Sequence, residues 1–297
     1  MIIETLLYNG EIHTLDPDQP KVSALAIHGE RILTSGDDAS LLALAGPQTR
    51  RVNLEGRCVL PGLVDAHIHW ENTAKYRHSV FLGGVASLGV ALERIATRLA
   101  TLDPEEWLLG NGWAQADWDP PHFPAHADLD RLTGDRPAYL VTKSGHAAWV
   151  NSAALRLAGI NRHTEDPAGG KIGRDAQGEP DGILFEAPAM QLVSRHIPKL
   201  TPATLAAWML EAQQGAWASG LVGLHDYDNP SCLVALQLLR EAGTLGLRVI
   251  KQINDPFIEH AHALGLRAGF GDAWLRLGAL KIFADGALGP RTAWMLA

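Results

Sequence analysis

Two histidines separated by one residue, His67-Ile68-His69, are the first side chains whose type and spacing suggest chemistry. In a β-strand, alternate side chains project to the same side, so both imidazoles can meet one metal ion. Imidazole is the commonest biological metal ligand, and zinc takes it readily. Two half-exposed loop histidines have the same spacing, so the context decides. Here the pair follows the breaker Pro61-Gly62 and the run Leu63-Val64-Asp65-Ala66, which reads as a buried strand ending in the histidines. Lys281 is the second candidate. In a strand over residues 277–283 it shares a face with Leu277, Ala279 and Phe283, where an ammonium is costly to bury. The ordinary relief is to snorkel to the strand end or to pair with Asp285. The other is loss of the charge, after which the neutral amine adds carbon dioxide and becomes a carbamate able to bridge two metal ions. The residues alone favour the first.

The elements that would position these groups are legible in the hydrophobic pattern. Residues 1–58 read as a small β module, with strands at 5–8, 11–15, 24–27 and 31–34, turns at Asn9-Gly10 and His28-Gly29, and a short helix at 39–45. From Leu88 the period changes, and Leu88, Leu92, Ile95, Leu99 and Leu102 make one face of a helix ending before Pro104. Between about residues 103 and 200 the pattern is irregular and rich in Pro, Gly, Asp and Trp, with a strand at 138–142 and a helix at 152–158. That segment reads as an insertion covering the strand ends. Thr201-Pro202 opens a helix that stops at Gly220. Then follow a strand at 221–226, a helix capped by Ser231 with Leu233, Leu236 and Leu239 on its apolar face, and strands at 247–253 and 277–283. Strands alternating with helices imply βαβ units and a parallel sheet. In a barrel, catalytic groups belong at the C-terminal strand ends, here His67 and His69, His225-Asp226, Asn254-Asp255 and residues 281–285.

Composition excludes several classes. The chain has 297 residues, 46% of them hydrophobic, enough for a large core. A formal charge of −8 without clustered Lys or Arg argues against nucleic acid and fits a small neutral or cationic substrate. Cys58 and Cys232 lack paired spacing, so neither a disulfide framework nor a thiolate zinc site is indicated, and a reducing cytoplasm is expected. No run of about 18 apolar residues occurs, so no membrane partner is expected. Neither a nucleophile-elbow serine, a H-E-x-x-H helix nor a phosphate-binding glycine loop is present. Ser144-Gly145-His146 is no catalytic pair by adjacency alone, and His146 reads instead as a substrate contact. Trp113, Trp118 and Trp149 could form a ligand platform, but aromatics in such a segment more often pack a core.

The run from Val59 to His69, Val-Leu-Pro-Gly-Leu-Val-Asp-Ala-His-Ile-His, resembles the first barrel strand of the amidohydrolase superfamily. Asn111-Gly112-Trp113, residues 144–155, Gly169-Gly170-Lys171-Ile172 and Gly182-Ile183-Leu184-Phe185-Glu186 look like the family 3 subgroup that includes N-substituted formamide deformylases, and residues 281–293 look like its fourth-strand motif. The resemblance implies a partial (β/α) barrel of the metal-dependent hydrolase type with the N-terminal portion of a composite β-sandwich domain. Residues 1–58 would belong to the sandwich, and 59–297 to the first half of the barrel, with the insertion at about 103–200. It also implies one or two divalent ions, expected to be zinc, that activate water against an amide. His67 and His69 would be ligands, and Lys281 a carbamylated bridging ligand. Glu186 is a ligand or a substrate-side group, and Trp113, His146 and Arg291 are the substrate contacts expected beside it. Pro290 stands where the family usually has serine. The family's later histidines and aspartate, from strands five, six and eight, are not in this chain. The expectation is therefore a truncated hydrolase, inactive until a further segment or second polypeptide completes it. The alternative is a non-catalytic remnant that binds metal or forms an oligomeric interaction surface.

Overall fold

The computed structural model describes residues 2–282, so Arg291 and the rest of the fourth-strand motif from Phe283 onward lie outside the described residues. Residues up to Val64, together with Gly220–Gly223, form one compact unit, which runs past the expected boundary at residue 58. It holds a four-stranded sheet in the order Arg31–Gly36, Ala24–His28, Thr5–Tyr8, Arg50–Asn53, and a three-stranded sheet in the order Lys21–Val22, Glu11–His13, Cys58–Val59. Ile3, Leu6, Ala24 and Ala26 meet Leu41 of the helix Asp38–Leu44 in its core. Asp37 starts that helix by accepting the Ser40 N–H at 2.8 Å. The strand expected over 11–15 stops at His13, and Leu15 turns the chain with a φ of 61°.

The second unit spans Asp65–Ser219 and the residues from Leu224 onward. Its stretch expected to be irregular is in fact a six-stranded sheet, in the order Lys171–Arg174, Pro180–Phe185, Ala147–Val150, Ala138–Thr142, Leu108–Trp113, Val80–Phe81. The sheet begins before residue 103, because Val80–Phe81 is one of its strands. Period-two alternation divides its core between two faces. Leu108, Leu140, Trp149 and Ile183 face Ala91 and Ile95 of the helix Leu88–Leu99 and Leu129 of the helix His126–Thr133. Tyr139, Ala148, Val150 and Leu184 face Ala154 and Leu155 of the helix Ser152–Leu157 and Met190 and Val193 of the helix Glu186–Ser194. Both faces are covered, so the strands lose the apolar–polar alternation that would have announced them; Ala147–Val150 is buried throughout.

A four-stranded sheet carries the candidate site. We label its strands β1 (Leu63–Ile68), β2 (Leu221–Asp226), β3 (Arg248–Asn254) and β4 (Leu275–Lys281), and their spatial order is β4-β3-β2-β1. β3 and β4 pair in parallel. The expected half-barrel is thus, among the described residues, an open sheet. Helix α1 (Trp70–Arg77) follows β1, α2 (Pro202–Ala218) precedes β2, and α3 (Pro230–Glu241) separates β2 from β3. α2 opens as its sequence predicts, with the Thr201 hydroxyl accepting the Thr204 N–H at 3.1 Å and Pro202 in the first turn. α3 opens at Pro230 behind Asn229, one residue before the expected cap Ser231, whose side chain is used elsewhere. β1 was expected to be buried, yet Leu63 and Val64 are 61% and 55% exposed, because among the described residues β1 is an edge of its sheet.

Candidate metal centre

β1 ends in the two histidines as the sequence predicts. Their ring centroids lie 5.7 Å apart, near enough for both to reach one ion at the roughly 2.0–2.1 Å of a zinc–imidazole bond. The His67 ring stacks on Tyr227, with centroids 4.0 Å apart and planes 10° apart. The Lys281 ammonium lies 5.5 Å from the centroid of the same Tyr227 ring. Tyr227 therefore joins the ends of β1 and β4 through contacts with two of the three expected ligands.

His69 is the N-cap residue of α1, but its side chain caps nothing. The helix's free N–H groups are instead satisfied by two aspartates from the end of β2. Asp226 accepts the Trp70 N–H at 2.8 Å, and Asp228 accepts the Glu71 N–H at 2.5 Å. This arrangement releases the His69 imidazole for another task. Its Nδ1–H donates to Asp228 Oδ1 at 3.0 Å, which leaves Nε2 as the nitrogen with a lone pair for a metal. Asp226 and Asp228 are 0% and 7% exposed, whereas the His69 side chain is 49% exposed. Burial, and then the charge of Asp226, pushes the Asp228 carboxyl up to about 6, against the hydrogen bonds from Glu71 and His69.

Asp226, Asp228 and the buried Cys232 also bring their ligand atoms within 4.8 Å of one another. Two facts weigh against a metal there. The Lys251 ammonium lies 3.1 Å from Asp226 Oδ1 and already supplies the cation, and burial pushes the Cys232 thiol up, away from the thiolate a metal needs. The histidine pair, with His69 oriented by a buried carboxylate and both rings substantially exposed, fits a divalent ion better.

Two further expected residues are brought together some way along the chain. His146 and Glu186 face each other across the antiparallel strands Ala147–Val150 and Pro180–Phe185, with His146 Nδ1 2.9 Å from Glu186 Oε2. Glu186 holds a φ of 64°, a conformation non-glycine residues seldom adopt. No hydrogen bond or ring contact among the described residues joins this pair to His67 or His69. Trp113 corrects the expectation of a substrate contact. It is 0% exposed, donates its indole N–H to the Leu140 carbonyl at 2.9 Å and packs against Trp118 and Trp149, so it builds the core. Lys281 is half-buried rather than buried, because Ala279 and Leu280 beside it on the edge strand are exposed. The strand lysine that does need relief is Lys251, which the sequence reading passed over together with Asp228 and Glu71. The D-x-D spacing of Asp226 and Asp228, and an ionisable residue inside the apolar run of β3, were the available signals.

A cavity of about 1050 Å³ opens beside this network, with Glu71, Asn229 and Ser231 in its wall. Tyr76, Phe81, Tyr139 and Trp208 give it an aromatic lining, and the stretch Thr142–Gly145 leading to His146 also borders it. The Ser231 hydroxyl donates to Glu71 Oε2 at 2.6 Å, while Lys75 holds the other oxygen at 2.5 Å.

Residues 50–297 match the profile of the amidohydrolase family. The chain belongs to that family. YtcJ of Bacillus subtilis, whose name describes it as an amidohydrolase, is 32% identical over 298 residues, covering 98% of this chain and 56% of YtcJ. The N-substituted formamide deformylase of Arthrobacter pascens is 32% identical over 193 residues, 64% of this chain and 36% of the deformylase. An uncharacterized metal-dependent hydrolase of Pyrococcus furiosus superposes with a TM-score of 0.76 at 26% identity, covering 97% of this chain and 57% of its own. The chain thus spans about half the length of the curated relatives it matches across nearly all of its residues. Membership of a family with such metal-dependent hydrolases implies a divalent metal, for which His67 and His69 are the fitting donors. No helix among the described residues is long and apolar enough to cross a membrane.

Proposed function

We propose that the protein is a metal-dependent hydrolase of non-peptide amide C–N bonds, acting on small amides such as N-substituted formamides. The observation that carries this reading is the pair of imidazoles 5.7 Å apart, one of them oriented by the buried Asp228. His67 and His69 would hold the ion, taken to be zinc, and Lys281, which contacts the same Tyr227 ring that His67 stacks on, would add an oxygen donor if its amine carried a carbamate. When bound, a divalent ion supplies Lewis-acid polarisation of an amide carbonyl and lowers the pKa of water. The chain's own residues supply orientation and exclusion of water. Asp228 fixes the His69 tautomer, and the aromatic lining of the cavity takes an apolar amine substituent. His146 and Glu186 form a hydrogen-bonded pair able to hold a proton beside the substrate. The activity for which the A. pascens relative is named supports the choice of N-substituted formamides.

The test is hydrolysis of an N-benzyl formamide by the zinc-loaded whole protein, with chelator and His67→Ala controls. Turnover that needs both zinc and His67 is expected. Stoichiometric zinc without turnover on any amide would reduce the protein to a metal-binding module.

A further inference from the structure

An ammonium is seldom fully buried unless every donor is engaged. Lys251 is 2% exposed, and its Nζ lies 2.5 Å from the Asp228 carbonyl oxygen, 3.0 Å from the Gln252 carbonyl oxygen and 3.1 Å from Asp226 Oδ1. All three of its N–H groups therefore have partners. Its neighbours carry the consequence outward. Asp226 accepts the Asp228 N–H at 3.0 Å and the Trp70 N–H at 2.8 Å, so one carboxylate ties β2 to the first turn of α1. Asp228, gripped at its carbonyl by Lys251 and at its N–H by Asp226, turns its side chain to Glu71 N and His69 Nδ1. Two buried carboxylates this close repel each other, and Lys251 is the cation paired with one of them, Asp226.

We propose that Lys251 is a positioning residue for His69: it neutralises Asp226 and fixes the Asp228 backbone, so that Asp228 holds the imidazole with Nδ1 protonated and Nε2 turned outward. The proposal rests on the reading of His69 as a metal ligand only for its functional consequence, because the tautomer is a property of the metal-free protein. Without the ammonium the Asp228 carbonyl loses its anchor whatever the charge at position 226, Asp228 leaves its place, and His69 loses the partner that selects its tautomer.

The experiment compares the full chain with Lys251→Met by two readouts. Nitrogen-15 NMR of labelled histidine at pH about 8, above the ordinary histidine pKa of about 6.5, reports the tautomer. Zinc titration against a competing chelator reports affinity. The Nδ1–H signature of His69 is expected in the parent and lost in the variant, with zinc bound about 10–100-fold more weakly. Because Lys251→Met leaves a buried carboxylate uncompensated and can unfold the chain, Lys251→Met with Asp226→Asn removes both charges together and is expected to fold with the same loss. Retention of the His69 tautomer in either folded variant overturns the proposal, even if zinc binding weakens. A Lys251-dependent tautomer in a protein that binds no zinc sustains the positioning role and retires the metal reading.

Discussion

Replacing Asn151 with alanine removes four hydrogen bonds from a side chain that is 0% exposed. Its Oδ1 accepts the N–H groups of Ala138 and Ala154, both at 3.0 Å, and its Nδ2 donates to Thr133 Oγ1 and the Arg136 carbonyl, both at 2.8 Å. The Ala154 bond is the N-cap of the helix Ser152–Leu157, and its loss costs about 0.5–2 kcal/mol. The Ala138 N–H is left unpaired at the start of a central strand, which adds about 1–3 kcal/mol. Thr133 Oγ1 keeps its own bond to the Leu129 carbonyl, and so contributes little. Together these come to about 1.5–5 kcal/mol, to be read as a shift in urea midpoint at constant slope. Asn151→Asp keeps the accepting oxygen but buries an unpaired carboxylate whose second oxygen faces the Arg136 carbonyl, so it should cost at least as much at neutral pH as alanine does. Neither change touches the histidine pair, and zinc content per folded molecule should be unaltered. A loss below about 1 kcal/mol for alanine, or an aspartate variant clearly more stable than the alanine one at neutral pH, would refute this account of the insertion's core.

Glu186→Gly relieves a left-handed backbone that costs a non-glycine residue about 1–2 kcal/mol, against about 0.5–1 kcal/mol of added chain entropy. Thermal unfolding should show a stability equal to the parent's or slightly higher, while turnover falls because His146 loses its partner; a marked loss of stability would contradict the strain. Trp113→Phe should destabilise the fold by about 1–3 kcal/mol through the lost indole hydrogen bond and the space the smaller ring leaves, with KM unchanged, whereas a raised KM would restore Trp113 as a substrate contact. The N–H groups of Leu275 and Trp274, and then Arg240, hold the Asp272 carboxyl down at about 2. A folded pKa below the unfolded one, about 3.9, gives a contribution that is complete above pH about 4 and lost as pH falls through about 2. The stability deficit of Asp272→Asn should accordingly be present at pH 7 and vanish on acidification, and a deficit independent of pH would rule this out.

The features legible in the sequence are those set by neighbours in the chain. His67 and His69 were found because a two-residue spacing on a strand is a local fact, and α2 was found because Thr201-Pro202 and Gly220 bracket its apolar residues. The network behind the histidines is not local. Asp226, Asp228 and Lys251 follow His69 by more than 150 positions and meet it only when β1, β2 and β3 pair. A lysine buried on a strand does need relief, but Lys281 lies on an edge strand among the described residues, and the lysine that obeys the rule is Lys251 on the interior strand β3. The six-stranded sheet was missed because strands covered on both faces carry no alternation, and Trp113 was misread because a core indole and a ligand-facing one look alike in a sequence.

Metal analysis of the purified protein, set beside its His67→Ala/His69→Ala variant, tests the central claim most directly. The account predicts stoichiometric zinc in the parent after supplementation and its loss in the double variant, with circular dichroism unchanged because both side chains are substantially exposed. Equal metal content in the two proteins, or none in either, would contradict the assignment of the metal site to the end of β1.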